Sequence, residues 1–166
     1  VRDRAIVETL YSTGMRKGEI IALDLCDIKY DDALVSIRDG KGGKDRVVPI
    51  GRAAIGSIQR YVEEARPIFS RSGDALFVNR WGGRGGEYTI AHAVKKALQG
   101  AGIDKKLTVH GMRHSCATHM INNGADIRYV QELLGHKDLS STQVYTHVSI
   151  DKLKRTHRRH HPRERE

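Results

Sequence analysis

Apolar side chains recur at helical spacing from the start of the chain: Ile6, Val7, Leu10 and Tyr11 give Arg2–Ser12 the face of an amphipathic helix. A turn at Gly14 separates it from a second helical stretch, Lys17–Leu23, carried by Ile20, Ile21 and Leu23, so Arg16 falls between two helices. The pattern then changes. Leu34–Arg38 and Arg46–Ile50 are rich in β-branched residues and flank Asp39–Asp45, predicting a hairpin with a Gly/Lys-rich tip that holds Lys41 and Lys44. Helical spacing returns from about Arg52 to Ala65 and is expected to stop at Arg66-Pro67, because a residue before proline is pushed out of the helical region. Leu76-Phe77-Val78 reads as a short strand, Asn79–Gly86 as a glycine-rich loop around Trp81, and Tyr88–Gln99 as a helix stopped by Gly100 and Gly102. Beyond Thr108 the pattern is helical, with segments near Val109–Asn122, Ile127–Leu134, Ser141–Tyr145 and Ile150–His157. Thr108 can cap the first of them and Asn123-Gly124 can end it. Ile127, Val130, Leu133 and Leu134 form a stripe assigned to the core. The fold class is α+β, predominantly α-helical with a small antiparallel sheet.

Composition narrows what such a fold does. The 166 residues suit one domain, 39% hydrophobic and 30% charged residues are globular proportions, and no apolar run nears the roughly 18 residues of a membrane-spanning helix. Cys26 and Cys116 stand far apart with no Cys-x-x-Cys, so neither a disulfide framework nor a cysteine zinc site is signalled and a reducing, cytoplasmic compartment is expected. A net charge of +9 favours a polyanionic partner, nucleic acid first. With only six Tyr, two Phe and one Trp, a basic surface for double-stranded DNA fits better than a stacking platform for single strands. Val1 leads at once into a helical pattern, as in a domain excised from a longer protein. The last sixteen residues carry seven basic and three acidic side chains and a His157, His160, His161 cluster, read as a solvated basic tail that contacts DNA phosphates or a neighbouring molecule.

Four patches could carry chemistry: residues 13–19, 40–44, 110–115, and Leu133-Leu134-Gly135-His136 followed nine positions later by Tyr145. Taken singly each has an ordinary explanation: Arg16 as a surface arginine, Lys41 as a turn lysine, His110 and Arg113 as a polar pair on one helix face, and Tyr145 as a packing tyrosine. Their order and spacing together are harder to dismiss. Thr-Gly-Met-Arg-Lys-Gly-Glu-Ile (13–20), Gly-Lys-Gly-Gly-Lys-Asp-Arg-Val-Val-Pro-Ile (40–50), His-Gly-Met-Arg-His-Ser-Cys-Ala-Thr-His (110–119) and Leu-Leu-Gly-His-Lys-Asp-Leu-Ser-Ser-Thr-Gln-Val-Tyr-Thr-His-Val (133–148) resemble the tyrosine recombinase (phage integrase) family, most closely its Xer-type members. The resemblance runs nearly the whole chain, to His-His-Pro-Arg at 160–163. It implies the catalytic-domain fold of that family over 1–149, with 150–166 as a C-terminal segment. It also implies a catalytic set of Arg16, Lys41, His110, Arg113, His136 and Tyr145. Met15 and Met112 stand where leucine is common in the family, a volume-conserving change.

The chemistry of that set is coherent. A phosphodiester under attack gains charge on its equatorial oxygens, and guanidinium forks from Arg16 and Arg113 stabilise that charge more than the ground state. Arginine suits this better than lysine because it stays charged and binds two oxygens at once. His110 and His136 add hydrogen bonds and can move a proton. A tyrosine of ordinary pKa is only about 0.1% phenolate at pH 7, so Tyr145 needs a base and a positive site. Lys41 on a hairpin tip is the candidate general acid for the leaving 5′ oxygen. The resemblance implies a 3′-phosphotyrosyl intermediate, which stores the energy of the broken bond, so no metal and no cofactor is expected. Lys44, Arg46, Arg84, Lys95, Lys96 and Lys137 are candidate phosphate contacts.

The resemblance further implies an N-terminal DNA-clamping domain that this chain lacks. A homotetramer on synapsed DNA, with 150–166 passed to a neighbour and Leu153 as its anchor, follows from the same resemblance, and the fragment itself is expected to be monomeric. Type IB topoisomerase-like relaxation and a non-cleaving DNA-binding module are the alternatives. A zinc hydrolase is disfavoured: His110 and His114 are at i and i+4, but Gly111 stands where a base would be and no acidic residue lies between them.

Overall fold

Gly14 ends the first helix in a left-handed conformation (φ 60°), its N–H returning to Leu10 O, and so turns the chain toward Arg16. In the computed structural model, which describes residues 1–38, 45–70, 73–104, 107–135 and 147–164, helix α1 (Arg2–Thr13) is central. It buries Ala5, Ile6, Thr9 and Leu10 and packs against α3 (Arg52–Arg60), α5 (Glu87–Gly100) and α6 (Val109–Asn122). The short α2 (Lys17–Ala22) leads through a 3-10 turn at Leu25–Asp27 into the sheet. Three antiparallel strands lie in the order β1 (Ile28–Lys29), β2 (Leu34–Ile37), β3 (Arg46–Pro49), with Val35 opposite Val48 and Ile37 opposite Arg46. The hairpin strands fall where the β-branched runs predict them; β1, two residues long, carries too little pattern to be read in advance. The hairpin tip, with Lys41 and Lys44, lies outside the described residues, as does the helix expected at Ser141–Tyr145.

The helix expected to stop at Arg66-Pro67 does not. α3 runs through a π-helical turn, Tyr61–Ala65, into α4 (Arg66–Phe69), with Pro67 in the first turn of α4. A proline there lacks only an N–H that has no required partner, and the widened turn before it makes room for the ring. Tyr61 anchors this bend: it is fully buried, stacks on Phe77 and accepts a hydrogen bond at Oη from Val78 N (3.1 Å).

Leu76-Phe77-Val78 is buried as a strand would be, yet it forms no ladder. Its backbone is served by single contacts on different sides, Leu76 N to Leu23 O and Gly85 N to Phe77 O, and among the described residues the pairings nearby are the isolated bridges Asp24–Ala75 and Val78–Arg84. The α6 boundaries match the expectation, with Thr108 Oγ1 accepting from Gly111 N and Gly124 at φ 88°. In α7 (Ile127–Leu134), Val130, Leu133 and Leu134 are buried. Ile127 is not: it is the first residue after the Asp126 cap, and at 58% exposure it lies beyond the edge of the core.

The tail is the largest departure. Residues 147–160 form α8 (His147–His160), which packs on β3, α6 and α7 with Leu153 in the core. His157 (2% exposed) and His161 (0%) are interior, stacked with ring centroids 4.6 Å apart and hydrogen-bonded to Ser12 O and Tyr11 O. Glu164 accepts from Arg52 N at the start of α3. The basic side chains are solvated on one face, while the apolar and imidazole face closes the molecule's own core. Trp81, in the glycine-rich loop, is 76% exposed, with the Arg80 guanidinium 4.2 Å from its ring centroid. No described helix is long and apolar enough to cross a membrane.

Candidate active site

Three arginines distant in sequence converge on the end of α7. Helix C-termini leave carbonyls without intrahelical partners and carry partial negative charge, so cations collect there. Leu133 O accepts from Arg46 Nε (3.4 Å), Leu134 O from Arg113 Nη2 (2.8 Å) and Gly135 O from Arg16 Nη2 (3.0 Å). Arg113 also donates from Nη1 to Gly14 O (2.7 Å), tying α6 to the turn that follows α1. That turn must be glycine: φ is positive, and a Cβ on Gly14 would lie 2.5 Å from Leu134 Cδ2.

Glu19 balances the cluster. It sits at the third position of α2 and accepts from the Arg16 backbone N–H (2.6 Å), as an acidic residue there is placed to do. Its oxygens also bind the Arg16 guanidinium (2.9 Å) and both Nη atoms of Arg46 (2.7 and 3.0 Å). Burial would raise its carboxyl, but the hydrogen bonds from Arg46 and from the Arg16 N–H, with the charges of both arginines, outweigh burial and hold it below the usual carboxylate range. Arg113, 8% exposed, is pulled down to about 10 by burial, with the Arg16 and Arg46 charges pushing the same way and Glu19 opposing. It stays charged at neutral pH.

Three guanidiniums against one carboxylate make an anion-seeking site. Arg16, with its side chain 42% exposed, faces a cleft of about 870 Å³. Arg113, His110 and His114 line the same cleft, and Met15, Val94, Leu107, Val109 and Leu134 form its apolar wall. Among the described residues Arg16 and Arg113 each commit two guanidinium contacts to the protein, which leaves N–H donors for an anion in the cleft. His110 is exposed near the start of α6, one helical turn from Arg113, and lines the cleft beside it. Behind the turn, the buried Cys116 thiol is pushed up to about 12, chiefly by burial, and is unreactive. Among the described residues no group of His, Cys, Asp and Glu is placed to hold a metal ion.

Of the six catalytic candidates, Arg16, His110 and Arg113 thus meet in one cleft. Lys41, His136 and Tyr145, with Lys44 and Lys137, lie outside the described residues. The surface role expected of Arg46 is corrected: at 5% exposure, with its fork occupied by Glu19, it is interior. Arg84 is half-exposed and pairs with Asp24 while donating to Ile21 O and Leu23 O, which fastens its loop to the end of α2. Lys95 and Lys96 are exposed on α5, Lys96 being 3.8 Å from Asp3. Glu19 is the residue that sequence reasoning passed over; its only signal was an acidic residue three positions after Arg16.

The model of the Phage integrase family matches residues 1–152. Over 163 residues the chain is 46% identical to Tyrosine recombinase XerC 2 of Ralstonia nicotianae, covering 98% of this chain and 47% of that protein. It is 43% identical to Tyrosine recombinase XerD of Yersinia pestis, covering 98% and 55%. The chain therefore spans about half the length of these relatives. Among solved structures it is similar to XerA recombinase (TM-score 0.76, 35% identity, 95% of this chain and 58% of that one). It is also similar to XerH site-specific recombinase bound to difH substrate in a pre-cleavage complex (TM-score 0.70, 29% identity, 91% and 44%).

Proposed function

The chain belongs to the phage integrase family, with the fold of a tyrosine recombinase catalytic domain, and from that premise we propose that it cleaves and rejoins double-stranded DNA in site-specific recombination. The observation that carries the reading is the convergence of Arg16, Arg113 and His110 on one cleft, with Arg16 and Arg113 anchored on the protein side. Such a clamp is preorganised: its donors are already oriented when charge develops on the phosphate, so little reorganisation is needed in the transition state.

In this reading Tyr145 attacks the scissile phosphorus. Arg16 and Arg113 bind the non-bridging oxygens, His110 and His136 hydrogen-bond to them, His110 also taking the tyrosine proton, and Lys41 gives a proton to the departing 5′ oxygen. The 3′-phosphotyrosyl bond then yields to a 5′-hydroxyl of a partner strand, which restores the tyrosine. The longer protein to which such a domain belongs assembles as a homotetramer on two duplexes and acts on nucleoid DNA in the cytoplasm. Lys95 and Lys96 are left as phosphate contacts on the body surface, with Lys44 and Lys137.

A plasmid with two copies of the cognate site tests this. Exchange of the flanking segments is expected, falling about 10²–10³-fold in Arg16→Ala as an electrostatic donor to the transition state is lost. Relaxation of supercoils without exchange would favour a topoisomerase-like activity instead, and binding without strand breakage a non-cleaving module.

A further inference from the structure

Arg46 opens β3, and from sequence it belongs with the basic side chains of a DNA-facing surface, yet its guanidinium is buried beneath the end of α7. Nη1 and Nη2 form a fork on the two oxygens of Glu19 (2.7 and 3.0 Å), and Nε points to Leu133 O (3.4 Å). Gly135 closes over it from the other side: a Cβ there would lie 2.9 Å from Nε and 3.0 Å from Cδ and Cζ, at a backbone φ of +66°. The first residue of a strand, the acidic residue of α2 and the last turn of α7 therefore meet on one side chain.

The consequence runs through Glu19. Oε1 accepts from both Arg46 Nη1 and Arg16 Nη1, and Oε2 from both Arg46 Nη2 and the Arg16 backbone N–H. A carboxylate held by a fork on one side has its rotamer fixed, so it presents a constant edge to Arg16 on the other. Without the fork, Glu19 would have Arg16 as its sole cationic partner among these contacts and would draw that guanidinium back from the cleft. We propose that Arg46 is a positioning residue for the phosphate clamp: it never touches DNA, but by fixing Glu19 and the end of α7 it sets where the Arg16 guanidinium stands. The inference rests on the reading of Arg16 as a ligand of the scissile phosphate.

Arg46→Met removes the charge at similar length, and Arg46→Lys keeps a charge without the fork; both are compared with the parent protein in three measurements. The Arg16 Nε–H signal in ¹H–¹⁵N spectra of the free protein is expected to broaden or shift in Arg46→Met and less in Arg46→Lys. Single-turnover adduct formation on a nicked duplex is expected to fall at least 30-fold in Arg46→Met, at unchanged salt dependence of binding. That defect is expected to shrink when the scissile phosphate is replaced by a methylphosphonate, which has one charged oxygen fewer to clamp. A binding slope reduced by about 0.9 would make Arg46 a phosphate contact and overturn the proposal. So would an unmoved Arg16 signal, or an equal defect on phosphate and methylphosphonate, which marks general destabilisation. If Arg46→Met fails to fold, the same readings on Arg46→Lys decide. If the parent protein forms no adduct, the clamp reading falls on its own, and the Arg16 signal still decides whether Arg46 positions that side chain.

Discussion

Lowering the pH from 7.5 to 5 should destabilise the protein through the last helix, before the buried carboxylates titrate. His157 and His161 are enclosed between α8 and α1, stacked on each other and bonded to Ser12 O (2.8 Å) and Tyr11 O (3.1 Å). Burial pulls both down to about 4, and for His161 the His157 charge adds to the effect; the backbone carbonyls oppose, as do Glu164 and Glu8 for His161, without prevailing. Folded pKa values below the unfolded value near 6.5 mean that the unfolded chain takes up protons first. Stability is therefore complete above about pH 6.5 and is lost as the pH falls toward 4. For one imidazole with these values the loss at pH 5 is about 2 kcal/mol, and for both about 4 kcal/mol, against a total of roughly 5–15 kcal/mol for an ordinary domain. Glu19 and Asp24, held below the usual carboxylate range, titrate further down; Glu132, which burial raises, takes up its proton first in the folded chain and so works against the imidazole loss without a shift of their size. Urea unfolding followed by circular dichroism at pH 7.5, 6 and 5 reads the effect directly. The midpoint should decline steadily in the parent protein and much less in the double variant His157→Gln, His161→Gln, whose amides can still donate. A flat midpoint in the parent, or the same decline in the double variant, would show that the two imidazoles do not carry the loss of stability.

Three substitutions follow from the same packing. Glu19→Gln leaves the buried Arg46 without its counter-charge and should cost about 3–5 kcal/mol in urea unfolding, with loss of strand cleavage. Gly135→Ala places a side chain in a left-handed position against Arg46 and should cost at least about 1–2 kcal/mol, read as a lower melting temperature. Leu153→Ala should cost about 2–5 kcal/mol, because α8 is part of the core; removal of residues 150–166 is then expected to give a chain that melts far lower, rather than an intact body without a tail.

The legible parts of the molecule are those whose signal is local. Gly14 and Asn123-Gly124 mark helix ends, Thr108 a cap, and the β-branched runs around 34–37 and 46–49 a hairpin, each within a few residues of the signal. The motif blocks likewise brought Arg16, His110 and Arg113 into one site. What sequence could not show is where a polar side chain turns when its partner is remote. Arg46 finds Glu19 27 positions away and becomes interior. His157 finds the carbonyl of Ser12 145 positions away, so a charge-rich tail with one apolar residue in sight becomes a core helix. Pro67 misled for a different reason: the local rule against helix before proline holds for a regular α-turn, and a π-turn escapes it.

Covalent chemistry at Tyr145 is read by incubating the protein with a nicked duplex carrying its cognate site in the presence of a chelator. The expected product is an adduct that survives denaturation, from which digestion yields a Tyr145 peptide joined through its oxygen to a 3′-phosphate, and that is absent in Tyr145→Phe. An adduct that persists in Tyr145→Phe, or strand cleavage that stops when divalent metal is chelated, would contradict it.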